Sequence, residues 1–300
     1  MLGALSGALL TGLAQGAMIA LVALGYTMVY GVLKLINFAH SEVFMMGAYA
    51  GFYFMTMLGG AEHPAMAAAF GTLGAMMGAS ALGILVERVA YRPLRQRLAA
   101  QGSHAARGGN ARVTPLVTAL GVSVLLQNLA QLLFTARYKS YPQLFTQTRL
   151  VIFVVAVAVM IGLQLLVQRT WIGKAMRALS SNTEAARLMG IRTGRVIAFT
   201  FALGSSLAAL GAVLYCLDQS QVYPTMGVVI GTRAFVAAVL GGIGSIPGAL
   251  LGGGLIGVIG ELVKLSDYSG GQDVLIFVVL ILVLLLKPAG LLGKAGIEKV

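Results

Sequence analysis

Uncharged, strongly apolar stretches alternate with short charged stretches along the chain. Residues 5–29, 112–137, 149–169 and 195–218 each hold about the 20 residues that a helix needs to cross a bilayer. Lipid offers the backbone no hydrogen-bond partner, and these stretches lack the alternation of barrel strands. The pattern therefore predicts an all-α, polytopic transmembrane helical bundle of about eight or nine membrane segments.

The composition favours the same class of protein. Hydrophobic residue types make up 58% of the 300 residues and charged types 10%, whereas soluble domains carry about 25% charged residues. The net charge is +12, but the basic residues stand between apolar stretches, as the positive-inside rule predicts for membrane loops. We therefore expect membrane lipid, and no nucleic acid, among the partners of this chain.

Basic residues cluster in three segments that we expect to be cytoplasmic. Six arginines fall within a loop at about 87–113, six basic residues fall within a loop at about 169–195, and three lysines follow residue 286. By this assignment all nine acidic residues lie at span ends or in loops. The N-terminus is then external and the C-terminus cytoplasmic, in a single transmembrane domain that covers residues 1–300.

The stretch 233–261 must enter the membrane and return, because both of its flanks are expected outside. It is short for two straight crossings and contains a Gly/Pro break near 241–248. We expect two half-helices or two short tilted helices around this break, packed inside the bundle because irregular backbone is not tolerated against lipid. The spacing of Gly244, Gly248 and Gly252 favours close helix packing over a hinge.

The polar segment 37–42 interrupts two apolar stretches. Polar groups at membrane depth are costly unless they are paired or face a cavity. One hypothesis is a broken helix that lines a pathway; the other is a cytoplasmic-side turn that Ser41 caps. His40 and Glu42 are two residues apart and do not share a helix face, so a metal site is not expected.

Three polar residues stand inside other apolar stretches. We expect Gln127 and Asn128 to form interhelical hydrogen bonds in preference to contacts with a substrate. Arg233 is expected to extend towards the membrane interface, with attraction of a substrate carboxylate as the alternative.

A short amphipathic helix is predicted within the second basic loop. Ser181 or Asn182 can cap its N-terminus, Glu184 lies in its first turn, and Gly190 can end it. The apolar residues between these ends would form one side of the helix. The helix either orients the protein at the membrane surface or presents this apolar side to a protein partner.

Several motifs resemble those of one transporter family. Glu184, Ala185 and Ala186 followed by Gly190 resemble the coupling segment of ATP-binding cassette importer permeases. The stretches 36–49, 87–95 and 234–249 resemble those of the high-affinity branched-chain amino acid permeases, the Liv-type inner-membrane proteins, and specifically the first of their two permease subunits. The likeness covers essentially the whole chain, although Ser41 stands where the family usually has Gly.

The resemblance implies a membrane-spanning permease subunit that moves leucine, isoleucine and valine across the bacterial inner membrane. Its implied partners are a second homologous permease subunit, two ATP-binding cassette ATPase subunits and a periplasmic or extracellular substrate-binding protein. ATP and Mg²⁺ would bind to the ATPase subunits, since this chain has no Gly-x4-Gly-Lys-Ser/Thr loop, and we expect neither a cofactor nor an enzyme activity here. The alternatives are a urea or short-amide permease of the same broad family and an ion-coupled secondary transporter.

Two groups of candidate site residues follow. Both are taken from the local patterns and the resemblance. The group expected at the ATPase interface lies within about 174–191: Arg177, Ser181, Asn182, Glu184, Ala185, Ala186, Leu188 and Gly190. The group expected along a substrate pathway is Asn37, Ala39, His40, Ser41, Glu42, Gln127, Asn128, Gly241, Gly242, Gly244 and Ser245.

Overall fold

Helices account for nearly all of the regular structure. The computed structural model describes residues 2–59, 62–100, 110–142, 148–265 and 269–293. The helices are α1 Leu2–Leu33, α2 His40–Met57, α3 Pro64–Val86, α4 Arg92–Ala100, α5 Asn110–Phe134, α6 Thr148–Arg169, α7 Trp171–Ser181, α8 Thr183–Leu188, α9 Thr193–Gln219, α10 Met226–Gly241, α11 Ile246–Lys264 and α12 Gln272–Leu286. A π-helical turn at Glu87–Tyr91 joins α3 to α4, a 3₁₀ turn at Ser269–Gly271 precedes α12, and β1 Lys139–Ser140 pairs antiparallel with β2 Gln221–Val222.

The all-α, polytopic fold predicted from the sequence is confirmed. Within the described residues, six helices are long and apolar enough to cross a membrane: α1, α3 with its extension, α5, α6, α9 and α11. The shorter apolar helices α10 and α12 and the 18-residue α2 pack with them. These nine helices agree with the approximate number of membrane segments predicted.

The centre of the bundle is formed by α1 and α9. Most side chains of both helices are buried, whereas α5 and α6 leave most of theirs exposed. The helix α2 lies between α3, α9 and α10. Exposed leucines such as Leu125 and Leu132 on α5 are suited to lipid or to an apolar partner.

Pairs of glycines bring α1 and α11 into close contact. A Cβ atom at Gly12 would lie 2.8 Å from the Cα atom of Val258, and one at Gly16 would lie 2.7 Å from the carbonyl oxygen of Gly253. Gly257 faces the same part of α1. Both helices therefore use a Gly-x3-Gly spacing, which allows backbones to approach closely.

The two ends of the bundle differ in the elements that they carry. At one end, here called the strand end, β1 and β2 join the segments that follow α5 and α9, and Arg149 lies 3.6 Å from Asp218. At the other end, here called the α7 end, α7 packs beneath the last turns of α1 and beside the 242–245 turn.

The Gly/Pro break is present at the predicted position, but it lies at the α7 end. Gly242 and Gly244 have φ angles of +101° and +94°, which favour glycine, and Ser245 caps α11 by accepting a hydrogen bond from the Gly248 amide at 3.1 Å. The two flanking helices have 16 and 19 residues, or about 24 and 28 Å of length. Of the two expectations, half-helices are therefore wrong and two short helices are correct.

Close packing explains two of the three spaced glycines. Gly248 contacts Gly241, and Gly252 contacts Ala237, so both sit in the α10–α11 contact as predicted. Gly244 has no atom within 4 Å of a Cβ position and belongs to the turn instead. The expectation that this whole segment avoids the bundle surface is also wrong, since α11 exposes Leu251 and Leu255 by 49% and 43%.

Candidate functional site

The helical backbone is interrupted between α1 and α2, and the chain returns into the bundle before α2 begins. The break starts at Lys34, whose φ of +56° turns the backbone. The ring of His40 packs against Gly25 and lies 4.8 Å from the Tyr26 ring. Gly25 lies eight residues before the end of α1, so α2 begins about 12 Å inside that end.

The Asn37 side chain holds this break in place. Its Oδ1 atom accepts a hydrogen bond from the Tyr91 hydroxyl at 2.8 Å and another from the Ala39 amide at 3.1 Å. The Ser41 hydroxyl instead donates to the carbonyl oxygen of Phe38 at 2.7 Å. The cap by Ser41 in the hypothesis of a cytoplasmic-side turn is therefore wrong, and Asn37 and residues 39–42 are buried in the bundle.

Glu42 is a buried acid, contrary to expectation. Its side chain is fully buried, and its Oε1 atom lies 3.4 Å from the Ser123 hydroxyl of α5. Its Oε2 atom has no hydrogen-bond partner among the described residues and faces Gly227 of α10. Glu42 lies in the first turn of α2, at the end of a segment as predicted, but its burial was not predicted because Ser123 and Gly227, which enclose the carboxyl group, are remote in sequence.

Two more acids are buried but paired. Glu87 forms an ion pair with Arg95, and Glu261 forms one with Lys264. His40 faces α1 whereas Glu42 faces α5 and α10, so the two side chains do not converge on one ion.

Ser41 and the glycines of α10 fit together. The Ser41 side chain contacts Gly231, and the Ser41 carbonyl oxygen contacts Gly227. The four-residue spacing of these glycines is the sequence signal that could have predicted this contact. No local pattern linked Tyr91 to Asn37, because the pairing joins segments 54 positions apart.

The structure corrects the interhelical prediction for one of the two amide residues on α5. The Asn128 amide donates to the Val124 carbonyl oxygen of its own helix at 2.8 Å and is exposed, so the interhelical prediction is wrong for this residue. Gln127 is half-buried on the same helix.

The remaining pathway candidates lie at the α7 end. Gly241 and Gly242 are buried there, and the last described residues pack against them: the amides of Leu291 and Leu292 donate to the carbonyl oxygens of Leu240 and Gly241. The Ser245 hydroxyl is used as the cap of α11.

A two-helix unit covers the α7 end. Thr170 caps α7, whose face with Met176 and Leu179 is buried against the bundle. The Arg177 guanidinium donates to the carbonyl oxygens of Val167 and Gln168 at 2.5 and 3.1 Å. These bonds attach α7 to the last turn of α6.

The predicted short amphipathic helix is α8. Asn182, not Ser181, caps it: the Asn182 side chain accepts from the Ala185 amide at 3.0 Å, while Ser181 ends α7. Gly190, with φ of +82°, ends it, and the Ile191 amide donates to the Ala186 carbonyl oxygen at 3.1 Å.

The prediction that the apolar residues of this segment form one side of the helix is wrong. Ala186 is buried against the bundle, whereas Leu188 and Met189 are 88% and 83% exposed. Glu184 and Ala185 are exposed as well. The unit therefore has an inner face fixed to the bundle and an outer face with large apolar side chains.

Comparisons with known proteins identify the family. The sequence model of the branched-chain amino acid transport system permease component family matches residues 8–284. The chain belongs to this family. Its members include a Pseudomonas aeruginosa protein named as the high-affinity branched-chain amino acid transport system permease BraD, which is 41% identical over 97% of both chains. The Escherichia coli K12 permease LivH is 38% identical over 96% of both chains.

More distant relatives share only part of the chain. The ribose import permease RbsC of Haemophilus influenzae is 32% identical over 39% of this chain and 38% of its own length. No solved structure matches the chain. Together with the apolar helices, membership in this permease family establishes a multi-pass membrane protein.

Proposed function

We propose that this chain is the membrane-spanning permease subunit of an ATP-binding cassette importer for leucine, isoleucine and valine. The names of relatives at 38–41% identity over nearly the full length support this substrate class. The chain itself is not an enzyme in this proposal. Two ATPase subunits bind ATP and Mg²⁺, a second homologous permease subunit completes the pathway, and an external binding protein delivers the substrate.

In this arrangement the α7 end faces the cytoplasm. The basic residues Lys174, Arg177 and Arg187 lie on or beside α7 and α8, which is the charge distribution of a cytoplasmic loop. The N-terminus is then external, and the last described residues reach the cytoplasmic side. The ATPase subunits would contact the surface that α7 and α8 cover.

The exposed outer face of α8 is the observation that carries the proposal. Leu188 and Met189 expose large apolar side chains beyond the membrane-length helices, on a helix too short to be stable alone. Two large apolar side chains exposed side by side are suited to a contact with a partner protein. Glu184 and Arg187 beside it supply charges that set the orientation of a partner.

The contacts of α7 support a route by which a push on α8 would reach the bundle. A crevice with a cavity volume of about 90 Å³ is lined by Met28 of α1, Met176 and Arg177 of α7, Gly244 of the turn before α11 and Ile246 at the start of α11. A displacement of α7 therefore acts on α1 and on the α10–α11 pair together. Methionines repack readily, which suits a contact that changes during transport.

The interior break is the proposed pathway element. The polar atoms of His40 and Glu42 that have no partner in the described structure lie beside glycine faces of α1 and α10. A small sliding of α2 past Gly227 and Gly231 would bring these atoms to a cavity between subunits. Alternating access would then combine this sliding with the displacement of α7.

Uptake of labelled leucine into proteoliposomes tests the proposal. The vesicles contain this chain with its partner permease, ATPases and binding protein, with or without ATP. We expect ATP-dependent uptake that isoleucine and valine block and urea does not. Uptake of urea in place of leucine would overturn the substrate, and uptake driven by an ion gradient without ATP would overturn the importer mechanism.

Two glycines allow a matched test of the coupling surface. Gly190→Ala places a side chain at a φ of +82°, which costs roughly 1 kcal/mol and distorts the end of α8. Gly194→Ala, in the first turn of α9, meets neither a positive φ nor an atom within 4 Å. We expect a several-fold loss of uptake only in the first variant, with equal membrane insertion. Equal uptake in both variants would contradict a coupling role for this helix end.

A further inference from the structure

A groove with a charged pair lies between α10 and α12. Its cavity volume is about 210 Å³, below the roughly 300–1,000 Å³ of pockets for drug-sized ligands, which restricts it to a small ligand. Arg233 of α10 and Asp273 at the start of α12 lie in it, with the Arg233 Nε atom 2.8 Å from the Asp273 Oδ1 atom. Arg233 was expected to extend towards the membrane interface, and its side chain reaches Asp273 in the first turn of α12.

Arg233 lies inside the helix α10, away from its N-terminal end. Arg233 is the eighth residue of that helix, about 10 Å from its first residue, and its side chain is only 19% exposed. A charge inside a membrane segment is costly, and such a residue is by default a candidate functional residue. The α10–α12 contact is also made by apolar side chains and does not require a charge.

Both members of the pair keep unused hydrogen-bonding groups. The ion pair uses Nε of Arg233 and Oδ1 of Asp273, and no other hydrogen bond of these side chains occurs within the described residues. The two terminal guanidinium nitrogens fit a carboxylate in a bidentate arrangement. The second oxygen of Asp273, whose side chain is 57% exposed, is able to accept from an ammonium group.

The walls of the groove are aliphatic and aromatic. Val228, Val229 and Val236 line it from α10, and Ile276 and Phe277 line it from α12. A ligand that places a carboxylate on Arg233 and an ammonium on Asp273 would direct its third substituent onto these walls. The groove thus combines the two charges and the apolar surface that an aliphatic α-amino acid presents.

We propose that this groove binds the zwitterion of an aliphatic amino acid on its way through the permease. The inference rests on the proposed function, since it deepens the substrate class. It assigns specificity to the membrane subunit itself: Arg233 and Asp273 require both charged groups, and the walls favour leucine, isoleucine and valine over polar side chains.

Photolabelling tests the groove directly. The complete permease–ATPase complex in lipid nanodiscs is exposed to a diazirine analogue of leucine, and the labelled peptides are mapped by mass spectrometry. We expect label on 228–236 or 276–277, displaced by leucine but not by leucinamide or 4-methylpentanoate, each of which lacks one charge. Label confined to other helices, or equal displacement by the single-charge analogues, would overturn the proposal.

A matched arginine separates binding from folding. Arg233→Gln removes the carboxylate contact, so groove labelling and the apparent affinity for leucine should fall at least about tenfold. Arg149→Gln breaks the Arg149–Asp218 pair, which lies outside the groove, and should change neither. If Arg233→Gln does not assemble, Val229→Trp fills the groove while keeping both charges and should have the same effect.

The uptake assay distinguishes the two levels of the proposal. Absence of ATP-dependent leucine uptake in the wild-type complex counts against the proposed function. Normal wild-type uptake together with unchanged labelling in Arg233→Gln and Val229→Trp counts against the groove alone.

Discussion

The glycine contact between α1 and α11 predicts that alanine substitutions at two neighbouring residues of α11 have different effects on stability. A Cβ atom at Gly253 would lie 2.7 Å from the Gly16 carbonyl oxygen and 2.7 Å from the Ala20 Cβ atom. Contacts between carbon atoms are optimal at about 3.5–4.0 Å, so the helices must separate by about 1 Å to admit the methyl group. Gly254, the next residue, has no atom within 4 Å of that position.

The difference between Gly253→Ala and Gly254→Ala isolates the cost of this contact. Both substitutions gain about 1 kcal/mol of helix propensity, and only the first adds an overpacking cost of about 1–3 kcal/mol. At roughly 2–4 °C per kcal/mol, Gly253→Ala should melt about 2–12 °C below Gly254→Ala. Fluorescence-detected size-exclusion chromatography after heating measures this difference in detergent. A Gly253→Ala protein that melts at or above the temperature of Gly254→Ala would refute the close contact.

Two further predictions concern single hydrogen bonds. Asn182→Ala removes the cap of α8 and should lower ATP-driven uptake, because the helix loses about 1 kcal/mol of stability. Asn182→Asp keeps the cap and should retain uptake. Equal uptake by the two variants would argue against a role for the cap. Tyr91→Phe removes the hydroxyl that donates to Asn37 and should lower the melting temperature by about 2–4 °C. Tyr138→Phe changes an exposed ring and should leave the melting temperature unchanged. An unchanged melting temperature of Tyr91→Phe would show that this hydrogen bond does not stabilise the segment between α1 and α2.

Much of the fold could be predicted from local patterns. Long uncharged stretches predicted most of the membrane-spanning helices, and the Gly/Pro cluster predicted the turn between α10 and α11. The capping residue, the acidic residue and the glycine within 182–190 predicted α8 and its two ends. Each of these features depends on residues within one or two turns of one another. Such local rules are what a single sequence displays.

The errors came from contacts between distant segments. Glu42 looked like the end of a span, but Ser123 and Gly227 enclose it within the bundle. The partner of Arg233 was not predicted either, because Asp273 lies 40 positions away at the start of α12. No local pattern states which helix lies beside another, so the partners of a buried charge could not be predicted from the segment that carries it.

The interior start of α2 has a consequence for how the protein is made. The helix carries His40 and Glu42, and the neighbours that enclose them include α9 and α10, which the ribosome synthesises much later. Polar groups are costly in lipid, so the final position of α2 is unfavourable in the membrane while the helix is flanked only by α1 and α3. We therefore expect α2 to reach its final position late, after Gly227 and Gly231 of α10 have entered the membrane beside it.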